Sequence, residues 1–194
     1  FFMKKIVIAG GGFAGSFIAK KLENSFNVTL IDSKDYFEFT PGILRTIVKP
    51  SHMKKVQILH KDYLKNTALL KGNISGVNWD NIKVGNKNLR FDYLCICLGS
   101  KYEVPLKEQN IVITTRASHL KKHHKKLAKS QKVLIIGGGL VGVELAAEIC
   151  THYSNKDITI VHNKDRLIER NTLKAIKYAD KFFRKNGVNI IYQE

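Results

Sequence analysis

Residues 4–15, "KKIVIAGGGFAG", set a run of β-branched and small apolar residues directly before a Gly-x-Gly-x-x-Gly turn. The run Lys4–Ala9 has the composition of a strand buried on both faces, and Ala14, Ile18 and Leu22 follow at helical spacing. Strand, turn and helix are therefore predicted in that order. Gly10 permits the tight bend, Gly12 lets a pyrophosphate approach the main chain, and Gly15 lets the helix lie close on the strand. The stretch Gly10 to Gly15, including Gly11, Phe13 and Ala14, would cradle the phosphates, with the unpaired amides of the helix start at its positive end. A second predicted strand, "NVTLID", ends at Asp32, followed by Ser33. A carboxylate at that distance from the turn can hydrogen-bond the hydroxyls of an adenosine ribose.

The same device returns at residues 131–142, "QKVLIIGGGLVG". Gly137, Gly139 and Gly142 repeat the spacing, with Gly138, Leu140 and Val141 between them, and Val141, Leu145 and Ile149 form the helical stripe. The next predicted strand, "DITIVH", ends in His162 where the first copy has Asp32, and Asn163, Lys164 and Arg166 follow. Without an acid there, selection for an unphosphorylated ribose is weaker, and the cations could meet a 2′-phosphate. The second nucleotide is thus NADH or NADPH, with neither favoured.

Working outward, the bulk properties exclude more than they select. The chain has 194 residues, a hydrophobic fraction of 44% and a formal net charge of +17. Such a charge concentrates anions, whether dinucleotides, nucleic acid or an acidic lipid surface. No zinc-finger spacing or aromatic-basic signature accompanies it, so a specific nucleic-acid module is not expected. No apolar run is long enough to span a bilayer, and no signal peptide is evident. Three cysteines, Cys95, Cys97 and Cys150, cannot build a disulfide framework and suit a reducing, cytoplasmic compartment. Cys95 and Cys97 read as small buried hydrophobes on one strand face, and no metal site is expected. His119 and His123 have the helical spacing of a ligand pair but lack a third partner. They fall in "HLKKHHKKLAK" (119–129), a solvated helix with Ser118 as its expected cap and Leu120 and Leu127 as its apolar seam.

Two such turns resemble those of the two-dinucleotide flavoproteins, the pyridine nucleotide-disulfide oxidoreductase superfamily, in which an FAD domain and an NAD(P) domain face each other. Further segments carry the resemblance. "FDYLCICLGS" (91–100) is similar to the strand that returns through the first domain and ends near Gly99, although Leu98 stands where threonine is usual. "GGGLVGVELAAE" matches the second motif, including the acid at Glu144, and "DYFEFTPGILR" (35–45) is similar to the flavin-side segment of type II NADH dehydrogenases and apoptosis-inducing-factor-like quinone reductases. The disulfide reductases of the superfamily carry a cysteine pair beside the flavin. No cysteine lies between Asp32 and Lys83, so a dithiol relay is not expected.

The resemblance implies an α/β chain with two parts. Residues 3–115 would be the first part of a Rossmann-like FAD-binding domain with an antiparallel β insertion, in which Trp79 is an expected packing anchor. Residues 116–130 would form a cationic crossover helix, and 131–194 the start of a second Rossmann-like NAD(P)-binding domain, with a helix over 171–185 striped by Leu173, Ile176, Ala179 and Phe183. Family chains continue beyond this point, so an N-terminal fragment of a longer protein is expected, and residues 1–194 alone could be inactive. The implied chemistry is hydride transfer from NAD(P)H to FAD and electron delivery to a quinone-type acceptor. Attachment to a membrane face would run through later segments. By the same resemblance Arg45 would contact FAD, the main chain of Ile74 would meet adenine, Lys107 would approach the flavin, and Glu144 would orient the nicotinamide as the catalytic acid. Two other readings stay open: a flavin reductase for a small redox protein such as a ferredoxin, and a truncated nucleotide-binding module without catalysis.

Overall fold

A computed structural model describes residues 3–100, 106–109 and 111–194. In chain order the elements begin β1 (Lys5–Ala9), α1 (Phe13–Leu22), β2 (Asn27–Asp32), β3 (Tyr36–Glu38), α2 (Arg45–Val48), α3 (Met53–Val56), β4 (Gln57–Leu59) and α4 (His60–Tyr63). There follow β5 (Thr67–Lys71), β6 (Ile74–Val77), β7 (Asn81–Val84), β8 (Lys87–Arg90) and β9 (Tyr93–Ile96). The chain continues with α5 (Ile113–Lys129), β10 (Lys132–Ile136), α6 (Leu140–His152), β11 (Asp157–His162), α7 (Leu173–Lys185) and β12 (Asn189–Tyr192). They form two compact units, one of the residues up to Ile43 with His52–Leu120, the other of Leu44–Ser51 with Lys121–Glu194.

In the first unit β5, β2, β1 and β9 make a parallel sheet in that order. Alternate residues of β1 point to opposite faces, so each face needs a cover. Ile6 and Ile8 pack with Val28, Leu30, Ala19 and Leu64 on one face, while Val7 and Ala9 pack with Ile31, Ile82 and Val84 on the other. Ile82 and Val84 come from the antiparallel sheet β6-β7-β8, so the insertion supplies the second cover. Trp79 does not take part. It is 99% exposed on the β6–β7 turn, where the amide of Asn78 closes on the carbonyl of Asn81, and the expectation of a packing anchor is corrected. The inward face of α1 also differs from the expected stripe: Gly15, Ser16 and Ala19 are buried, Ile18 and Leu22 partly so, and Ala14 is exposed. Small residues face the strand because the helix lies too close for larger ones.

The second unit repeats the pattern with a parallel sheet ordered β10-β11-β12. Its core joins Ile135, Ile158 and Ile160 to Ala146 and Ile149 of α6 and to Ile176, Ala179 and Phe183 of α7. Val48 belongs to the same core, and the carbonyl of Ile47 meets Nδ1 of His124 at 2.8 Å, which is why Leu44–Ser51 groups with this unit. The α7 helix begins at Leu173 behind Thr172, whose hydroxyl accepts the amide of Ala175. Leu173 is 64% exposed, and the expected stripe loses that member.

Ser118 is not the cap of α5. That helix starts five residues earlier because the Asp35 carboxylate accepts the amide of Ile113 at 3.0 Å, a cap supplied from a distant loop. Further along, Arg116 is fully buried, with Nε and Nη2 on the two Glu38 oxygens at 3.1 and 3.2 Å and Nη1 on Glu108 at 3.0 Å. His119 also pairs with Glu108, at 2.8 Å.

Candidate dinucleotide-binding turns

Each glycine turn sits at the carboxyl end of the first strand of its parallel sheet, and the two share one backbone plan. Gly10 has φ +101 and Gly137 φ +107, a left-handed conformation that favours glycine. The amide of Gly10 donates to Ile31 O at 2.7 Å and that of Gly137 to Val161 O at 2.8 Å, fastening each turn to the second strand. A Cβ on Gly15 would collide with the Gly10 carbonyl, and one on Gly142 with the Gly137 carbonyl. At 3.2 and 3.3 Å the next obstacles are again equivalent, the Cγ2 atoms of Ile8 and Ile135. The helix thus rests on its own strand in both copies.

Gly12 and Gly139 behave oppositely, since a Cβ on either would meet nothing within 4 Å. The first helical bonds run from Ser16 N to Gly12 O and from Val143 N to Gly139 O, so the amides before them have no partner within their own helix. An open approach above bare amides at a positive helix end fits a pyrophosphate, and both turns have it.

Asp32 lies under the first turn. Its Oδ2 accepts the Gly11 amide at 2.6 Å, its Oδ1 accepts the Lys34 amide at 2.9 Å, and the Ser33 hydroxyl lies 3.5 Å from Oδ1. Burial pushes this carboxyl up, but the His60 side chain, the Lys34 amide and ammonium, and the Gly11 amide together hold it below the ordinary aspartate value. It is an anion at neutral pH. A cavity of about 220 Å³ opens beside it, lined by Leu30, Leu59, Leu69 and Leu70 together with several charged side chains.

His60 was not among the residues legible in the sequence. It is buried, 3% exposed, with Nδ1 2.7 Å from the Tyr63 hydroxyl and Nε2 3.9 Å from Asp32 Oδ2. The Tyr63 hydroxyl donates to Ser16 Oγ at 2.8 Å, and Ser16 Oγ donates to the Gly11 carbonyl at 2.9 Å. A polar chain therefore returns from the turn to the acid beneath it.

The second turn has His162 in the corresponding place. A Cβ on Gly138 would lie 2.9 Å from the His162 ring, whose Nε2 faces Glu169 at 3.5 Å. Arg166 is engaged by its neighbour Asp165 at 2.8 Å. Phe13 and Leu140, both more than half exposed, open the two helices, while Val141 is partly buried. Around Phe13 the rings of Phe37 and Phe39 pack edge-on at 5.1 and 5.6 Å.

The remaining candidates separate. Ile74 opens β6 and pairs with Val84 beside the core of the first unit. Gly99 has φ +67, and Lys107 Nζ donates to the carbonyl and hydroxyl oxygens of Ser100 at 3.1 and 3.2 Å, so these two come together in the first unit. Arg45 belongs to the second unit, where its guanidinium meets Glu148 Oε1 at 2.8–2.9 Å. Glu144 is exposed on α6. It lies beyond the first turn of a helix that starts at Leu140, so the positive helix end does little for its charge. The burial it has, and then the charge of Glu148 one turn on, push its carboxyl up. Cys95 and Cys97 are only partly buried, against the core around Ile6 and Ile8.

Two units, each with a parallel sheet that carries a Gly-x-Gly-x-x-Gly turn at its carboxyl edge, define a protein with two dinucleotide-binding modules. The chain matches the pyridine nucleotide-disulphide oxidoreductase family over residues 4–194 and belongs to it. It is 30% identical to apoptosis-inducing factor homolog B of Dictyostelium discoideum over 203 residues, spanning 98% of this chain and 52% of that protein. Ferroptosis suppressor protein 1 of Xenopus tropicalis is 34% identical over 171 residues, spanning 85% of this chain and 45% of that one. The structure of NDH2 from Plasmodium falciparum in complex with NADH superposes with a TM-score of 0.75 at 22% identity, over 98% of this chain and 48% of that one. The chain spans about half the length of the curated relatives it matches. Among the described residues, no helix is long and apolar enough to cross a membrane.

Proposed function

We propose that this chain is the nucleotide-binding portion of an FAD-dependent NAD(P)H oxidoreductase that delivers electrons to a quinone-type acceptor. The duplicated turn carries the proposal: two cradles of similar backbone conformation suit two dinucleotides, one resident and one exchanging. Family membership over residues 4–194 supports the pairing of FAD with a nicotinamide nucleotide. The quinone-type acceptor rests on the resemblance of residues 35–45 to the flavin-side segment of type II NADH dehydrogenases and apoptosis-inducing-factor-like quinone reductases, and apoptosis-inducing factor homolog B is among the matched relatives.

When bound, the flavin would accept hydride from the nicotinamide and release its electrons singly or in pairs. This chain's residues bind and orient. The amides of Gly12, Phe13 and Ala14 would hold the FAD pyrophosphate and Asp32 its ribose, while those of Gly139, Leu140 and Val141 would hold the pyrophosphate of NAD(P)H. Lys107 and Gly99 would approach the flavin and the main chain of Ile74 the adenine, while Arg45 is engaged by Glu148 in the second unit. Glu144 would orient the nicotinamide.

The choice between nucleotides turns on His162 and Glu169. A carboxylate 3.5 Å from the imidazole is unfavourable to a 2′-phosphate, and the pairing of Arg166 with Asp165 removes one cation that would favour it. NADH is therefore the expected donor. The test is steady-state oxidation of NADH and NADPH by the complete flavoprotein with a soluble quinone. A kcat/KM for NADH at least tenfold above that for NADPH supports this assignment, and the reverse order contradicts it. Reduction of a ferredoxin-type protein in place of the quinone would move the acceptor to the other class.

A further inference from the structure

Beneath Gly11 lies an imidazole that nucleotide binding leaves without a task. His60 is 3% exposed, and its amide donates to the Asp35 carbonyl at 3.0 Å, which ties it to the loop that follows Asp32. Its Cε1 and Nε2 would both lie 2.6 Å from a Cβ on Gly11, so the ring fills the floor of the turn.

The hydrogens along the chain can be counted. Ser16 has one hydroxyl hydrogen and gives it to the Gly11 carbonyl, so its oxygen accepts from Tyr63. Tyr63 has one hydrogen and has thus used it, so its oxygen accepts from Nδ1 of His60. Nδ1 therefore carries a hydrogen. Nε2 is left as the variable position: buried, without a hydrogen-bond partner among the described residues, and 3.9 Å from Asp32 Oδ2. That separation is too long for a direct hydrogen bond but short for a charge interaction in a buried site.

We infer that His60 is a positioning residue for the first glycine turn: its ring, oriented by Tyr63 and Ser16, presents Nε2 to Asp32 so that a proton there holds the carboxylate charged and in place for the ribose of the bound dinucleotide. The inference rests on the assignment of this turn to FAD. Burial raises the Tyr63 hydroxyl, so it remains a hydrogen donor across the working pH range. Lys34, Asp35, Lys61 and Lys71 are the other charged groups of the same cavity. Lys34 is the second source of positive charge beside Asp32, so removal of His60 leaves burial opposed by less.

The decisive measurement is a carbon-13 titration of the Asp32 carboxyl in the complete chain freed of FAD. The His60→Leu variant is expected to raise the midpoint by about one pH unit or more. An unmoved midpoint in a folded variant overturns the inference. If that variant does not fold, the nitrogen-15 shifts of the wild-type ring decide. Hydrogens on both Nδ1 and Nε2 while Asp32 is ionised support the assignment, and an Nε2 without a hydrogen overturns it. In parallel, Asp32→Asn should weaken FAD binding at least tenfold. Unchanged binding overturns the FAD assignment of the turn and the role of His60 with it. Weakened binding with an unmoved midpoint in His60→Leu overturns the role of His60 alone.

Discussion

Gly12 and Gly15 stand three positions apart in one turn, and their substitution should fail in different ways. Gly12 has φ −78, and a Cβ there meets nothing within 4 Å, so alanine is sterically free in the empty protein. Gly12→Ala should leave stability within about 0.5 kcal/mol yet weaken FAD binding at least tenfold, because the methyl occupies the approach of the phosphate. At Gly15 the same methyl runs into the Gly10 carbonyl, and α1 must lift from β1. Gly15→Ala should therefore cost about 2 kcal/mol or more, as overpacking against backbone does. Thermal melts and flavin-fluorescence titrations of both variants check the split. Equal FAD affinity in Gly12→Ala would place the pyrophosphate elsewhere. At the same scale, Glu144→Ala in the complete enzyme should slow flavin reduction or raise the KM for the nucleotide, and unchanged stopped-flow bleaching would remove Glu144 from the site.

At the scale of elements, long-range ties decide where segments begin and end. Glu23 closes α1 and accepts the amides of Lys65 and Asn66 at 2.8 and 2.9 Å, fixing the entry to β5. Burial pushes its carboxyl up, but the Lys20 ammonium, these two amides and the Thr67 hydroxyl pull it down to about 2. The folded value lies below the unfolded one, so the stabilisation is fully present above pH about 4.5 and is lost as pH falls towards 2. Glu23→Gln should cost about 2 kcal/mol at pH 7 and flatten the acid limb of the stability profile, as read by denaturant melts from pH 7 to 3. A limb as steep as in wild type would contradict this. Arg116 is the corresponding tie for α5. Arg116→Leu strands the buried Glu38 carboxylate and should cost about 3–5 kcal/mol. Arg116→Leu with Glu38→Leu should recover much of that, which a double-variant cycle measures.

These ties also mark how far the sequence could be read. Both β-α-β units were legible because strand composition, glycine spacing and helical periodicity are local signals, and β1, β2, β10 and β11 fall where those signals put them. The start of α5 was not, because its cap is Asp35, 78 residues away, and a local serine looked adequate. Trp79 misled because apolarity predicts burial only where the backbone turns inward, and a hairpin tip does not. His60 carries no pattern in its own segment. Its meaning arises only when α4 brings it under Gly11.

For the molecule as a whole, the central claim is that two equivalent turns serve two different dinucleotides. One unit carries an acid beneath its turn and the other an imidazole facing Glu169, so the two turns present different groups to a ribose. The most direct test is the visible spectrum of the complete protein under anaerobic conditions, before and after addition of NADH. The account predicts flavin absorbance in the purified protein and its bleaching by stoichiometric NADH. A colourless protein that FAD does not reconstitute, or a flavin that neither NADH nor NADPH bleaches, would contradict it.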